Sequence, residues 1–568
     1  MVRTYQPGWL SKDVVAGLVL TALLVPQGMA YAELAGLPAV TGLYTSVLCL
    51  IGYAVFGPSR VLVLGPDSSL GPMIAATILP LMAADGDPAR AVALASMLSL
   101  LVGAFMVLAG TAKFGFIADL LSSPTQIGYM NGLALTIVVG QLPKLFGFSV
   151  DADGLIPEVV GFVEGLAAGE TVPAALVIGA AGLAVILVLQ RWLPKIPAVL
   201  VAVVLSIAAA ALLSLADRGV DLVGVLPQGF PPFTIPQVSA SDLPLLVAGA
   251  LGIAVVSLAD TISTSTAFAA RTGQEVRPNQ EMIGIGAANL AAGLFQGFPV
   301  STSGSRTAVA EQSGSKSQVT GLVGAAAITA MLLFLPGLLQ DLPQPTLAAV
   351  VIAAALSLAD IQGTRRLWHQ RRVEFMISLV AFLGVALLGV LPGIAVAVVL
   401  SILNVFRRTW RPYQTRVGRV DGLPGYHDVT LHADAEQLDG LVLYRFDAPL
   451  IFANARTFRE QMRAIADAEP RPRWIVVAAE PMTDVDTTAA DVLEDLDGDL
   501  AAAGVHLVFA ELKDPVRAKL QRYDLAGVLG PDRFFPTVEA AVEAYLAEHP
   551  SSWRPSGTPP PTPEQPDR

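Results

Sequence analysis

Residues 300–312 read VSTSGSRTAVAEQ, and residues 287–298 just before them read AANLAAGLFQGF. The earlier piece has the small, apolar make-up of a membrane segment. The later one sets hydroxyl side chains, glycine and one arginine, Arg306, side by side. An arginine at bilayer depth costs at least ~2.5 to 3.5 kcal/mol on insertion scales, so it reads as a functional group until shown otherwise.

The rest of the chain fixes the setting. Of 568 residues, 54% are hydrophobic and 14% charged, and the mean hydropathy is +0.61; ordinary soluble domains are far more polar. Apolar stretches long enough for a ~30 Å hydrocarbon core recur from Val14 to about Val405, joined mostly by short loops. The first, VVAGLVLTALLVPQGMAYAELAG from Val14, is too long and too polar at its end for a signal peptide and reads as a spanning helix. Cys49 is the only cysteine, which excludes an intrachain disulfide and a cysteine-based metal cluster. The formal charge of −12 gathers its acids in the last third and says little about the membrane part. With a cytoplasmic N-terminus, roughly sixteen basic residues, among them Arg3, Lys195, Arg271, Arg365, Arg366, Arg371, Arg372 and Arg408, fall on the inner side. Only Arg90, Lys144 and Arg218 fall outside. This bias predicts both termini in the cytoplasm, at the cell (inner) membrane.

The membrane part repeats itself. VPQGMAYAEL from Val25 precedes the interrupted segment VLVLGPDSSLGP from Val61, and VVSLADTISTST from Val255 precedes GFPVSTSGSRTA from Gly297. Interruptions at corresponding positions of two halves mark inverted-repeat transporters with a site near the midplane. Half-helices beginning near Asp67 to Gly71 and near Gly304 to Thr307 would aim their N-termini at each other, each with unpaired N–H groups and about half a positive charge. Ser68, Ser69, Ser303 and Ser305 add hydroxyl donors, Gly304 allows close approach, and Arg306 adds a full charge. Together they describe an anion site; the structural alternative pairs Arg306 with Glu311 or another acid.

VPQGMAYAELAGLPAVTGLY (from Val25), GPSRVLVLGPDSS (from Gly57) and NQEMIGIGAANLAAGLFQGFPVSTSGSRTAV (from Asn279) resemble the SulP anion transporters, the sulfate permease or solute carrier 26 family. That resemblance, over nearly the whole chain, implies a polytopic α-helical membrane protein of about 14 transmembrane segments in a 7+7 inverted repeat, the uracil-permease-like fold. It also implies core and gate domains, elevator-like motion, and a homodimer. The repeats would span about 10–216 and 242–410 within a transport domain of residues 1–411. By position, the resemblance assigns anion binding to Gln27, Tyr31, Ser68, Ser69, Ser303, Gly304, Ser305 and Arg306. Asp260 sits where related symporters carry an acid linked to H⁺ or Na⁺, with Thr264 one turn further on the same helix face. Glu33 resembles an acid linked to proton coupling in prokaryotic members. No other cofactor is expected, and no metal beyond a possible Na⁺ at Asp260. Asp67, at the end of a half-helix, would repel an anion bound there unless it is protonated, pairs with Arg306 or holds a cation; its plainer reading is a helix N-cap.

After Arg411 the pattern becomes soluble α/β. A linker over 412–437, an α/β domain over 438–548 resembling a STAS domain, and a disordered proline-rich tail over 549–568 are expected. VDTTAADVL from Val485 places Thr487 where antagonists of anti-sigma factors are phosphorylated; the plainer reading is a helix cap by Asp486 or Thr487. The chain has no GxxxxGK phosphate loop, so ATP-driven transport by this chain alone is unsupported. The expected function is secondary transport of a small anion, sulfate first, with bicarbonate or a dicarboxylate as alternatives. A membrane sensor signalling through the STAS domain to a cytoplasmic partner is the competing reading. Neither enzymatic activity nor nucleic-acid binding is expected.

Overall fold

The computed structural model describes residues 5–82, 87–115, 122–150, 152, 154–193, 196–272, 275–551 and 553. Arg3, Lys195 and, from residue 554 onward, the proline-rich tail lie outside the described residues, as do the side chains of Arg271 and Arg408. The chain forms two compact units, Met1–Ile402 and Leu403–Arg568.

The first unit is helical. Its first half holds α1 (Leu10–Leu34), α2 (Ala39–Phe56), α3 (Gly71–Ile78), α4 (Pro88–Thr111), α5 (Ser123–Phe146), α6 (Leu155–Ala168), α7 (Pro173–Trp192) and α8 (Ala198–Leu213). The second repeats the order with α9 (Leu243–Thr272), α10 (Pro278–Gly293), α11 (Gly304–Gln312), α12 (Val319–Phe334), α13 (Gln344–Leu358), α14 (Ile361–Gln370), α15 (Arg372–Leu388) and α16 (Val390–Trp410). In both halves the third helix is short and follows a two-residue strand, β1 (Leu64–Gly65) or β2 (Ser301–Thr302). In both, too, the sixth element is a short extra helix, α6 or α14, that the sequence reading passed over as loop.

Among the described residues, seven stretches are long and apolar enough to cross a bilayer by length and composition alone: α1, α2, α4, α7, α9, α13 with α14, and α16. The other segments are shorter, more polar or broken, which is the price of building a polar site at mid-depth.

Helices sort into two groups by packing. The first four of each half pack together, α10 against α4 and α2, α1 against α12 and α2, α9 against α4 and α3. The last four of each half form the other group, α5 against α15 and α13, α7 against α13 and α8. Small residues permit the close crossings, because lipid offers helices no hydrophobic drive to associate. The tightest crossing joins α1 to α2, where a Cβ added at Gly42 would stand 1.9 Å from the Gly28 carbonyl oxygen. Gly42→Ala should therefore destabilise the protein by about 1 to 3 kcal/mol, read as a lowered Tm of the purified chain.

The second unit is a six-stranded sheet, ordered β4-β3-β5-β6-β7-β8, with β3 (Gln414–Arg419), β4 (Tyr426–Asp428), β5 (Leu441–Phe446), β6 (Trp474–Ala478), β7 (His506–Ala510) and β8 (Phe534–Phe535). From β5 to β8 the strands run parallel, while β3 and β4 are antiparallel additions at one edge. α17 (Ala455–Ala466) and α18 (Thr487–Ala502) contribute to the core on one face, and α21 (Val538–Glu548) to that on the other. The intervening α19 (Asp514–Arg522) and α20 (Leu525–Leu529) are short. Residues 412–437, expected as a linker, instead supply β3 and β4. QTRVGR in β3 and YHD in β4 are mostly polar and so carry little alternation to read, and only β4, three residues long, forms the edge.

Candidate anion site

Two chain breaks build the site. Pro66, which lacks an N–H and restricts the residue before it, ends the extended stretch ahead of α3, and Pro299 stands just before β2. The strands pair antiparallel, Leu64 with Thr302 and Gly65 with Ser301. Val63 N–H donates to Thr307 Oγ1 at 3.1 Å, and Ser303 N–H donates to the Val63 carbonyl at 3.2 Å. Irregular backbone at membrane depth needs such partners.

Buried side chains from three helices anchor β2 and its approach. Val300 N–H donates to Asn289 Oδ1 at 3.0 Å, and the Val300 carbonyl accepts from Ser257 Oγ at 3.1 Å and Asn289 Nδ2 at 3.4 Å. Phe298 N–H donates to Thr45 Oγ1 at 3.1 Å, and Thr302 Oγ1 donates to Thr261 Oγ1 at 3.2 Å. Asn289 and Thr45 escaped the sequence reading; the signal was a lone carboxamide inside the otherwise apolar run AANLAAG. Asn289→Leu should leave the protein folded yet lower anion affinity roughly tenfold, since the Val300 N–H loses its partner, worth ~1 kcal/mol, and the Val300 carbonyl keeps only Ser257 of its two; titration of the purified variant checks this.

All eight residues assigned to anion binding line one cavity of about 1040 Å³. Gln27 and Tyr31 come from α1, Ser68 and Ser69 from the turn before α3, and Ser303, Gly304, Ser305 and Arg306 from the start of α11. Asp260 and Thr264 of α9 border it too, and a Cβ built on Gly304 would lie 3.9 Å from Thr264 Oγ1. The facing wall comes from the other helix group, with Gln126 and Met130 of α5, Gln190 of α7 and Ser357 of α13. No motif marked those residues. The cavity also reaches Gln190, Pro197 and Leu358, at helix ends beside the arginine-rich loops, so it opens toward the basic face. Glu33 is not among its walls. Two residues on from Tyr31, it points to another side of α1 and lines a separate cavity of about 480 Å³ with Lys144 and Gln344.

Arg306 borders the cavity but keeps its side chain inside the protein, 1% exposed. Its Nη1 donates to the Pro66 carbonyl at 2.6 Å, and its Nη2 lies 3.6 Å from Asp67 Oδ2. Its Nε and Nη2 make no hydrogen bond among the described residues. The guanidinium thus acts on the cavity as a field from behind the crossing, and its ion-pair partner is Asp67. Asp67 also accepts from Ser69 N–H at 3.0 Å and Ser69 Oγ at 2.8 Å, while Ser69 Oγ lies 3.2 Å from Asp260 Oδ2. One serine therefore links the two carboxylates.

The helix ends differ as a result. The turn into α3 is held by a carboxylate of its own, whereas at α11 only neutral hydroxyls attend the terminus: Ser303 Oγ receives Arg306 N–H at 3.5 Å and lies 3.1 Å from Ser305 Oγ. The helix N-terminus without a carboxylate of its own is therefore that of α11.

A family model described as the sulfate permease family matches residues 10–381, and a STAS-domain model matches 432–541. The chain belongs to the sulfate permease family. A Mycobacterium tuberculosis protein named "Probable sulfate transporter" is 41% identical over 96% of this chain and 96% of its own. Human solute carrier family 26 member 6 is 34% identical over 80% of this chain and 62% of its own. The solved structure of murine solute carrier 26 family member A9, an anion transporter in the inward-facing state, superposes with a TM-score of 0.88 at 23% identity, covering 96% of this chain and 93% of that one. Like other sulfate permease family members, the chain is a multi-pass membrane transporter and not an enzyme, with the 7+7 inverted-repeat fold and a STAS domain.

In the STAS domain, Asp486 caps α18. Its Oδ1 accepts from Ala489 N–H at 2.8 Å, and its Oδ2 accepts from Phe452 N–H at 2.8 Å. Thr487, the first residue of that helix, is exposed.

Proposed function

We propose that this protein is a secondary active carrier of a small oxyanion, sulfate first, driven by H⁺ or Na⁺ at Asp260 and moved by elevator-like displacement of one helix group against the other. The observation that carries this reading is the start of α11, where Ser303, Gly304 and Ser305 face an open cavity walled by both groups. Hydroxyl and N–H donors there suit any compact oxyanion, so bicarbonate and dicarboxylates are the alternatives. Relatives named "Probable sulfate transporter", in Mycobacterium tuberculosis and Arabidopsis thaliana, favour sulfate. Charge supports coupling: with Arg306 paired to Asp67, an ionised Asp260 leaves one negative charge in excess beside the anion, and a cation loaded there cancels it.

Uptake of labelled sulfate, bicarbonate and fumarate into proteoliposomes tests the reading. Accumulation of sulfate under an imposed H⁺ or Na⁺ gradient is expected; no uptake of any of the three under either gradient rejects it. The working form is a homodimer in the cell (inner) membrane with both termini cytoplasmic. Removing the chain after about Thr415 should leave a domain that inserts but transports poorly, and full activity of that truncation would make the STAS domain regulatory only.

A further inference from the structure

The sixth element of each repeat is a short helix, and inverted topology places the two on opposite faces of the membrane. Their chemistry differs sharply. α6 reads LIPEVVGFVEGLAA, with Glu158 and Glu164 and no basic residue, whereas α14 and the start of α15 read IQGTRRLWHQRR. On α14, Gly363 and Leu367 turn into the protein, while Ile361, Arg365, Arg366, Trp368 and His369 are exposed, followed by exposed Arg371 and Arg372.

The exposed side combines two chemistries. Trp368 is 50% exposed, and exposed Ile361 and Met376 extend the apolar surface. The Trp368 ring packs edge-on against Phe375 at 4.8 Å, and the Arg372 guanidinium lies over it at 5.8 Å. Arg371 is held beside the helix by Glu374 at 2.8 Å. An indole with apolar neighbours and one guanidinium over it, in an arginine-rich segment between two membrane-depth helices, matches the boundary between acyl chains and headgroups.

We infer that α14 and the first turn of α15 form a binding site for anionic phospholipid headgroups in the leaflet at the basic face. Arg365, Arg366, Arg371 and Arg372 engage phosphate oxygens, and Trp368 anchors at the depth of the glycerol backbone. Charge complementarity selects this occupant: four arginines within eight residues face a surface rich in phosphate, and arginine's planar fork suits phosphate oxygens. The bland alternative is that these arginines only orient the chain during insertion.

Native mass spectrometry of the full-length protein, released from membranes containing phosphatidylglycerol and phosphatidylcholine, separates the two. The wild type should retain phosphatidylglycerol selectively, and retention should fall as salt is raised. R365Q/R366Q and R371Q/R372Q, made as separate pairs so that each keeps half of the positive charge for insertion, should each weaken retention by roughly fivefold per arginine removed. W368A should weaken retention of both lipids. Equal retention of the two lipids by the wild type, or undiminished phosphatidylglycerol on both paired variants, overturns the inference.

Discussion

Arg306→Ala should weaken anion binding by roughly 100-fold or more. Truncating one member of a buried charge pair costs about 2 to 5 kcal/mol, and here the loss removes a full positive charge behind the α11 terminus while leaving Asp67 without this partner. The second effect lowers stability, so loss of binding in the single variant is not decisive alone. Asp67→Asn combined with Arg306→Gln removes both charges and restores neutrality. The pair variant should regain Tm relative to Arg306→Ala and still fail to bind. If it binds at near-wild-type affinity, Arg306 serves only to balance Asp67.

Asp260→Asn should abolish gradient-driven accumulation while leaving anion exchange largely intact. The carboxamide keeps the size of the side chain and a polar atom near Ser69 Oγ, 3.2 Å away in the wild type, but can neither take up a proton nor offer a charged oxygen to Na⁺. With no cation loaded, the internal to external ratio of substrate should settle at unity in proteoliposomes under an imposed gradient, whereas counterflow against preloaded substrate should persist. Concentrative uptake by the variant would move coupling elsewhere, and Glu33 is the next candidate because it lines its own cavity with Lys144 and Gln344.

Much of this site was legible because its signals are local. Proline and glycine interrupt two apolar runs at matching places, and hydroxyls gather where a helix must restart; GPDSS and STSGSR announce α3 and α11 to within a few residues. What stayed hidden depends on tertiary packing. Asp67 reads as a helix cap first, yet the structure gives α3 no side-chain cap: the carboxylate holds the turn before the helix through Ser69 N–H and pairs with Arg306. Gln126, Gln190 and Ser357 stand more than forty residues from either interruption, so only the juxtaposition of two helix groups brings them to the same cavity as the start of α11. Arg306 was legible as a charge but not in its direction. Nothing in SGSRTA tells that the guanidinium turns behind the crossing toward Pro66.

The anion should rest at the start of α11, opposite Ser68 and Ser69. Selenate, a sulfate analogue whose selenium scatters anomalously, locates it directly in crystals of the purified protein soaked at a concentration that displaces labelled sulfate. One dominant anomalous peak is expected within hydrogen-bonding reach of Ser303, Gly304 or Ser305. A peak instead beside Gln126 and Gln190, with the α11 terminus unoccupied, would contradict it.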